Sequence, residues 1–127
     1  MTQAQPIVAV LDDEPEMRKA LRRLLCIRGF RVEEYECGED FLAALGSHPV
    51  DCVLLDLQMP GLNGFEVLAA IGIRKPRVPV VVITAHDEPG TAERVLTLGA
   101  SVYLKKPVDR DVLFAAIAKA TSGTEAA

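Results

Sequence analysis

A chain of 127 residues, half of them hydrophobic and a quarter charged, has the size and balance of one ordinary globular domain. Its net charge of -4, with basic residues dispersed or beside acidic ones, argues against a nucleic-acid surface, which needs a basic patch. No apolar run approaches the roughly 20 residues of a membrane helix, and residues 1–6 lack the parts of a signal peptide; the three cysteines have no metal-ligand spacing.

These exclusions lead to an expected cytoplasmic protein with reduced, mostly buried thiols and neither a membrane nor a direct nucleic-acid partner. In chain order, the apolar run Ile7-Val8-Ala9-Val10-Leu11 reads as a buried strand that ends in Asp12-Asp13-Glu14-Pro15. Pro15 suits the first turn of a helix, and the acids before it suit the positive end of the helix dipole. That helix sets Met17, Ala20, Leu21, Leu24 and Leu25 on one face and Arg18, Lys19, Arg22 and Arg23 on the other, until Gly29 stops it. Arg31–Tyr35 predicts a shorter strand with Val32 inward. A brief helix with Phe41, Leu42 and Leu45 follows and ends at Gly46.

The third strand, from Cys52 to Leu55, is too short for a helix and runs into Asp56-Leu57-Gln58-Met59-Pro60-Gly61, where turn residues redirect the backbone. Gly64 opens a helix with Phe65, Val67, Leu68 and Ile71 inward, closed by Gly72 and the basic connector Arg74-Lys75-Pro76-Arg77. Val80 to Ile83 is the most apolar strand, expected at the centre, and ends in Thr84-Ala85-His86-Asp87. A weaker helical pattern holds Val95, Leu96 and Leu98 and stops at Gly99. The fifth strand, 101–104, ends in Lys105-Lys106-Pro107. Asp109 can cap a last helix with Val112, Leu113, Ala116 and Ile117 inward, before a polar tail at 121–127 that should fray.

Five strand–helix repeats with continuously apolar strands predict an α/β fold: a five-stranded parallel sheet, doubly wound into a flavodoxin-like three-layer sandwich. The expected organisation is one domain over 1–127 with its core at 7–120. In a parallel sheet every carboxyl end lies on one edge. The common order 2-1-3-4-5 makes the strands bearing Asp12, Asp13 and Asp56 neighbours, with Thr84 and Lys106 next in line. Any one of these acids could simply cap a turn. Together they crowd one pocket, and two like charges about 4 Å apart repel by roughly 4 kcal/mol at an effective dielectric of 20. A divalent cation relieves that repulsion, and an all-oxygen set with room for water suits Mg²⁺ better than zinc or a calcium cage. A carboxylate beside Mg²⁺, an ammonium and a hydroxyl has the parts needed to accept a phosphoryl group.

The segments Leu11-Asp12-Asp13-Glu14-Pro15, Leu55-Asp56-Leu57-Gln58-Met59-Pro60-Gly61-Leu62-Asn63-Gly64, Ile83-Thr84-Ala85 and Tyr103-Leu104-Lys105-Lys106-Pro107 together resemble a receiver domain of two-component response regulators, from Ile7 to about Ala120. The resemblance implies that Asp56 takes a phosphoryl group from a sensor histidine kinase or phosphotransfer protein. It implies that Asp13, Asp56 and the Gln58 carbonyl ligate Mg²⁺ while Asp12 acts largely through water. Lys106 matches the phosphate-pairing lysine, and Lys105 its exposed neighbour. Thr84 and Tyr103 match the switch pair, with Tyr103 turning inward as Thr84 moves toward the phosphate. Gln58 and His86 stand where family members vary and should tune phosphate lifetime; His86 and His48 read as loop histidines rather than ligands.

Around the acceptor and the acidic start, the sequence is most similar to receivers of transcription regulators of the nitrogen-fixation and nitrate-response group, although no DNA-binding helix pair follows the last helix. The implied protein is not an enzyme on other substrates: it catalyses only its own phosphorylation and dephosphorylation. Its output would be a phosphorylation-changed surface of helix 4, strand 5 and helix 5, read by a downstream protein or by a second copy in a phosphorylation-dependent homodimer. The alternatives are a phosphate sink or shuttle, and the receiver part of a longer hybrid kinase or DNA-binding regulator. An aspartyl-phosphate hydrolase fits poorly, because Gln58 stands where that chemistry usually places a second acid.

Overall fold

The computed structural model describes residues 5–74, 77–85 and 88–125. Ten elements alternate along the chain: β1 (Ile7–Leu11), α1 (Pro15–Ile27), β2 (Arg31–Tyr35), α2 (Gly38–Leu45), β3 (Cys52–Asp56), α3 (Gly64–Gly72), β4 (Val80–Thr84), α4 (Thr91–Thr97), β5 (Val102–Lys105) and α5 (Arg110–Glu125). The strands form one parallel sheet in the order β2-β1-β3-β4-β5. This is the expected doubly wound α/β architecture.

Alternation along each strand divides the core in two. Ala9, Leu11, Val53, Leu55, Val80 and Val82 pack with Phe41, Val67, Leu68, Ile71 and Val95 of α2, α3 and α4. Val8, Val10, Cys52, Leu54, Val81 and Ile83 pack with Leu21, Leu25, Leu113 and Ile117 of α1 and α5. Of the inner strands, β3 and β4 are buried on both faces along their whole length, which is why they read as unbroken apolar runs, and the central place expected for β4 belongs to β3. The edge strand β2 is only partly covered and carries Glu33 and Glu34.

Register fixes the functional edge. Leu11 pairs with Leu55, so Asp12 and Asp56 each stand one residue beyond a matched pair. Asp56 pairs in turn with Ile83, and Thr84 with Lys105, so Thr84 and Lys106 follow in the same staircase. The Lys106 N–H donates to the Thr84 carbonyl at 2.9 Å, tying the ends of β4 and β5.

Several expectations need correction. The last helix extends into the polar stretch read as a tail: it runs to Glu125, and the hydroxyls of Thr121 and Ser122 donate to carbonyls one turn back. Val112, expected inward, is about half exposed at 47%, because the buried stripe centres on Leu113–Ile117–Ala120. Ala20 faces solvent while Leu21 and Leu25 carry the α1 contact. Of the three thiols only Cys52 is buried; Cys26 is exposed and Cys37 intermediate. β5 begins at Val102, one residue later than its pattern suggested. Lys75, Pro76, His86, Asp87 and the last two tail residues, on which part of the sequence reading fell, lie outside the described residues.

Candidate functional site

At the carboxyl edge of the sheet, Asp12, Asp13 and Asp56 each present a carboxylate oxygen, all within 4.8 Å of one another. Asp12 and Asp56 are buried, whereas Asp13 is exposed at the mouth. They converge because β1 and β3 are adjacent and in register, so the residues leaving both strands meet at one point.

Asp12 is held at every polar atom. Its N–H donates to the Tyr35 carbonyl at 3.2 Å. Its carbonyl accepts from Arg18 Nη1 at 2.7 Å, and its Oδ1 accepts from the Glu14 N–H at 2.9 Å. Its Oδ2 accepts from Lys106 Nζ at 3.0 Å. The Lys106 ammonium also stands 3.6 Å from Asp56 Oδ2 and 3.6 Å from Glu14 Oε1. Lys106 therefore lies between the acids as an internal counter-ion, with its side chain 10% exposed.

The turn after β3 shapes the rest. Asp56 Oδ1 accepts the Gln58 N–H at 3.1 Å, which orients the carboxylate. Gly61 bends the chain with φ +73°, a conformation glycine takes without steric cost. Asn63 then caps α3 reciprocally with Glu66, through two side-chain-to-backbone bonds of 3.0 Å. Gly64 presses so close that an added Cβ would fall 2.5 Å from Leu57 Cα and 2.8 Å from the Asp56 carbonyl oxygen. The result is an open cleft of about 370 Å³ lined by Asp13, Glu14, Asp56, Gln58, Met59, Pro60, Ala85 and Lys106.

Electrostatics follow from this crowding. Burial pushes the Asp56 carboxyl up to about 6; the Gln58 N–H opposes it, Asp12 adds to it, Lys106 opposes and Asp13 adds again. Burial alone would lower Lys106, but the hydrogen bond to Asp12 and the charges of Asp56, Asp12 and Glu14 outweigh it and hold the ammonium above its ordinary range. The site is an oxygen-rich cradle with the Lys106 ammonium set among its acids. Three carboxylates and an exposed mouth are a fitting donor set for Mg²⁺.

Thr84 is fully buried at the end of β4, and Tyr103 of β5 is half-buried and packs against the core on the α3–α4 side of the sheet. Gln58 is exposed and Lys105 is exposed. His48 is exposed in a loop, its Nδ1 3.4 Å from Ser47 Oγ. His86 lies outside the described residues. Two residues that the sequence reading left without a site role reach the site: the Glu14 carboxylate stands beside Lys106, and Arg18 donates to the Asp12 carbonyl. Glu14 could have been flagged by its contiguity with Asp12-Asp13. Arg18 sat on the polar side of a helical pattern and carried no such signal.

The comparisons agree with this geometry. The family described as "Response regulator receiver domain" matches residues 8–118. The chain is 39% identical over 116 residues to the DNA-binding transcriptional regulator NtrC of Salmonella typhimurium, which covers 91% of this chain and 25% of that protein. It is 35% identical over 120 residues to the transcriptional regulatory protein FixJ of Bradyrhizobium diazoefficiens, covering 94% of this chain and 58% of that one. Among solved structures, "FIXJ-N" superposes with a TM-score of 0.86 at 32% identity, covering 94% of this chain and 96% of that one. The chain thus spans between a quarter and about three-fifths of these two regulators.

Proposed function

Because the chain belongs to the response regulator receiver domain family of two-component systems, we propose that Asp56 is its phosphoacceptor. An Asp56 oxygen attacks the phosphorus of a phosphohistidine on a sensor kinase or phosphotransfer protein; the P–O bond forms as the P–N bond breaks, and the imidazole leaves. The observation that carries this reading is the buried Asp56 carboxylate facing Lys106 at 3.6 Å beside two further acids. With its carboxyl raised only to about 6, Asp56 is mostly ionised at neutral pH and available as a nucleophile.

Lys106 is placed to pass from Asp12 and Asp56 to the incoming phosphoryl oxygens. Asp13, Asp56 and the Gln58 carbonyl would hold Mg²⁺, with Asp12 acting through water. When bound, the ion supplies positive charge against the acids and the equatorial phosphoryl oxygens. The Thr84 hydroxyl hydrogen-bonds the phosphoryl group, and Tyr103 turns into the space Thr84 leaves. The resulting surface of α4, β5 and α5 is read by a partner, for which Leu96 and Val112 offer exposed apolar side chains. Chemistry is confined to the chain's own phosphorylation and dephosphorylation, and the domain is one receiver unit over 1–127.

In acetyl phosphate with Mg²⁺, Asp56→Asn should abolish labelling that wild type shows; undiminished labelling would move the acceptor elsewhere. A signalling module should hold its phosphate for minutes, a sink for seconds, so the lifetime separates those two roles. A second reading, the receiver part of a longer DNA-binding regulator, is favoured by the fractional coverage of NtrC and FixJ. The native gene boundary discriminates it.

A further inference from the structure

Arg18 lies in the second turn of α1, and its side chain is only 13% exposed. Its Nη1 donates to the Asp12 carbonyl at 2.7 Å, and its Nε stands 3.5 Å from Glu34 Oε1 on β2. The other Glu34 oxygen, Oε2, accepts from the exposed Arg22 at 2.7 Å. A guanidinium keeps its charge in a protein, and sequestering it from water is costly unless its donors are met. Its rigid fork suits two acceptors at once, here one on β1's exit and one on β2.

Among the described residues, the other hydrogen bonds of Asp12 run to backbone, at Tyr35 of β2 and at Glu14, and to Lys106 of the site. The Tyr35 carbonyl and Glu14 N–H anchor its backbone and Oδ1, while Lys106, which holds Oδ2, is the group expected to leave for the phosphate. Arg18 is therefore the side-chain support that stays with Asp12 when Lys106 moves. The geometry points to Arg18 as a positioning residue that fixes the Asp12 carbonyl, and through it the Asp12 carboxylate, toward the cation site, with Glu34 steadying the guanidinium from β2.

This inference rests on the reading that the three acids hold Mg²⁺. A bridge that merely fastened α1 to the sheet would alter melting and leave ion affinity unchanged. Supports one contact removed from a metal ligand commonly change affinity 10–100-fold, and a carboxylate acting through water belongs at the low end, about tenfold.

The test is calorimetric titration of the full chain with Mg²⁺ alone, far below the melting temperature, for wild type, Arg18→Ala, Arg18→Lys, Glu34→Gln and Asp13→Asn. Arg18→Ala should weaken Mg²⁺ by about tenfold, Arg18→Lys should recover part of the loss, and Glu34→Gln should lose less than Arg18→Ala. Labelling by acetyl phosphate should slow at limiting Mg²⁺ and return near the wild-type rate at saturation. A lowered melting temperature with Mg²⁺ affinity within about twofold of wild type would overturn the assignment. If Arg18→Ala does not fold, unchanged affinity in both Arg18→Lys and Glu34→Gln overturns it equally. Should Asp13→Asn bind Mg²⁺ as wild type does, the acid-site reading fails first, and this inference with it.

Discussion

Asp56 is buried at the end of a strand, where its proposed role as acceptor asks for a negative charge, and that tension has a measurable pH signature. Its carboxyl is raised to about 6 in the fold from an ordinary value of 3.8, chiefly by burial. A group whose folded value is raised contributes stability that is complete below the unfolded value and is lost as pH climbs through the folded one. In chelator, wild type should therefore lose stability relative to Asp56→Asn as pH rises from about 4 to about 6, and the gap should level off above that window. Chemical denaturation across pH reads it directly; a constant gap would mean that Asp56 feels no such burial. At this same scale Lys106 offsets part of the repulsion, standing 3.0 Å from Asp12 and 3.6 Å from Asp56.

Among the elements, the β3–α3 turn orients Asp56, the proposed acceptor. Gly64 lets the first turn of α3 lie against the backbone of Asp56 and Leu57, where a methyl group would overlap at 2.5 and 2.8 Å. Backbone cannot yield as a flexible side chain can, so Gly64→Ala should cost about 1–3 kcal/mol, checked by urea unfolding. It should also slow labelling, since the Gln58 N–H that orients Asp56 lies in the same turn. The helices show how far periodicity reaches. The α1, α3 and α5 contact residues Leu21, Leu25, Val67, Leu68, Leu113 and Ile117 are buried as their spacing implied. Ala20 and Val112 were assigned inward by the same rule and face outward. A residue on the flank of an apolar stripe is settled by how closely the neighbouring layer approaches, which spacing does not encode.

For the whole molecule, three acids at one lip repel one another, and the proposed Mg²⁺ would relieve that repulsion. Mg²⁺ that binds the folded chain alone stabilises it by about 2.7 kcal/mol at a hundredfold excess over Kd. A thermal scan should then show the melting temperature rising by on the order of 10 °C in saturating Mg²⁺. Asp13→Asn should reduce that rise, and an unchanged melting temperature in wild type would count against a metal site. Among the described residues no helix is long and apolar enough to cross a membrane.

The sequence by itself determined the layer order: five apolar runs, each followed by a helical pattern, admit little besides a covered parallel sheet, and Asp12, Asp13, Asp56, Thr84 and Lys106 each announced themselves by following a strand. Local chemistry carries that information, because turn residues and apolar periods act within a few positions of themselves. Only the tertiary structure decided that Arg18 turns from solvent to grip the Asp12 carbonyl, that Glu14 reaches Lys106, and that the last helix continues to Glu125. The first two depend on contacts between distant segments, Arg18 with Glu34 of β2 and Glu14 with Lys106 after β5, where the free energy of a side chain is set by partners that its own stretch of sequence does not contain.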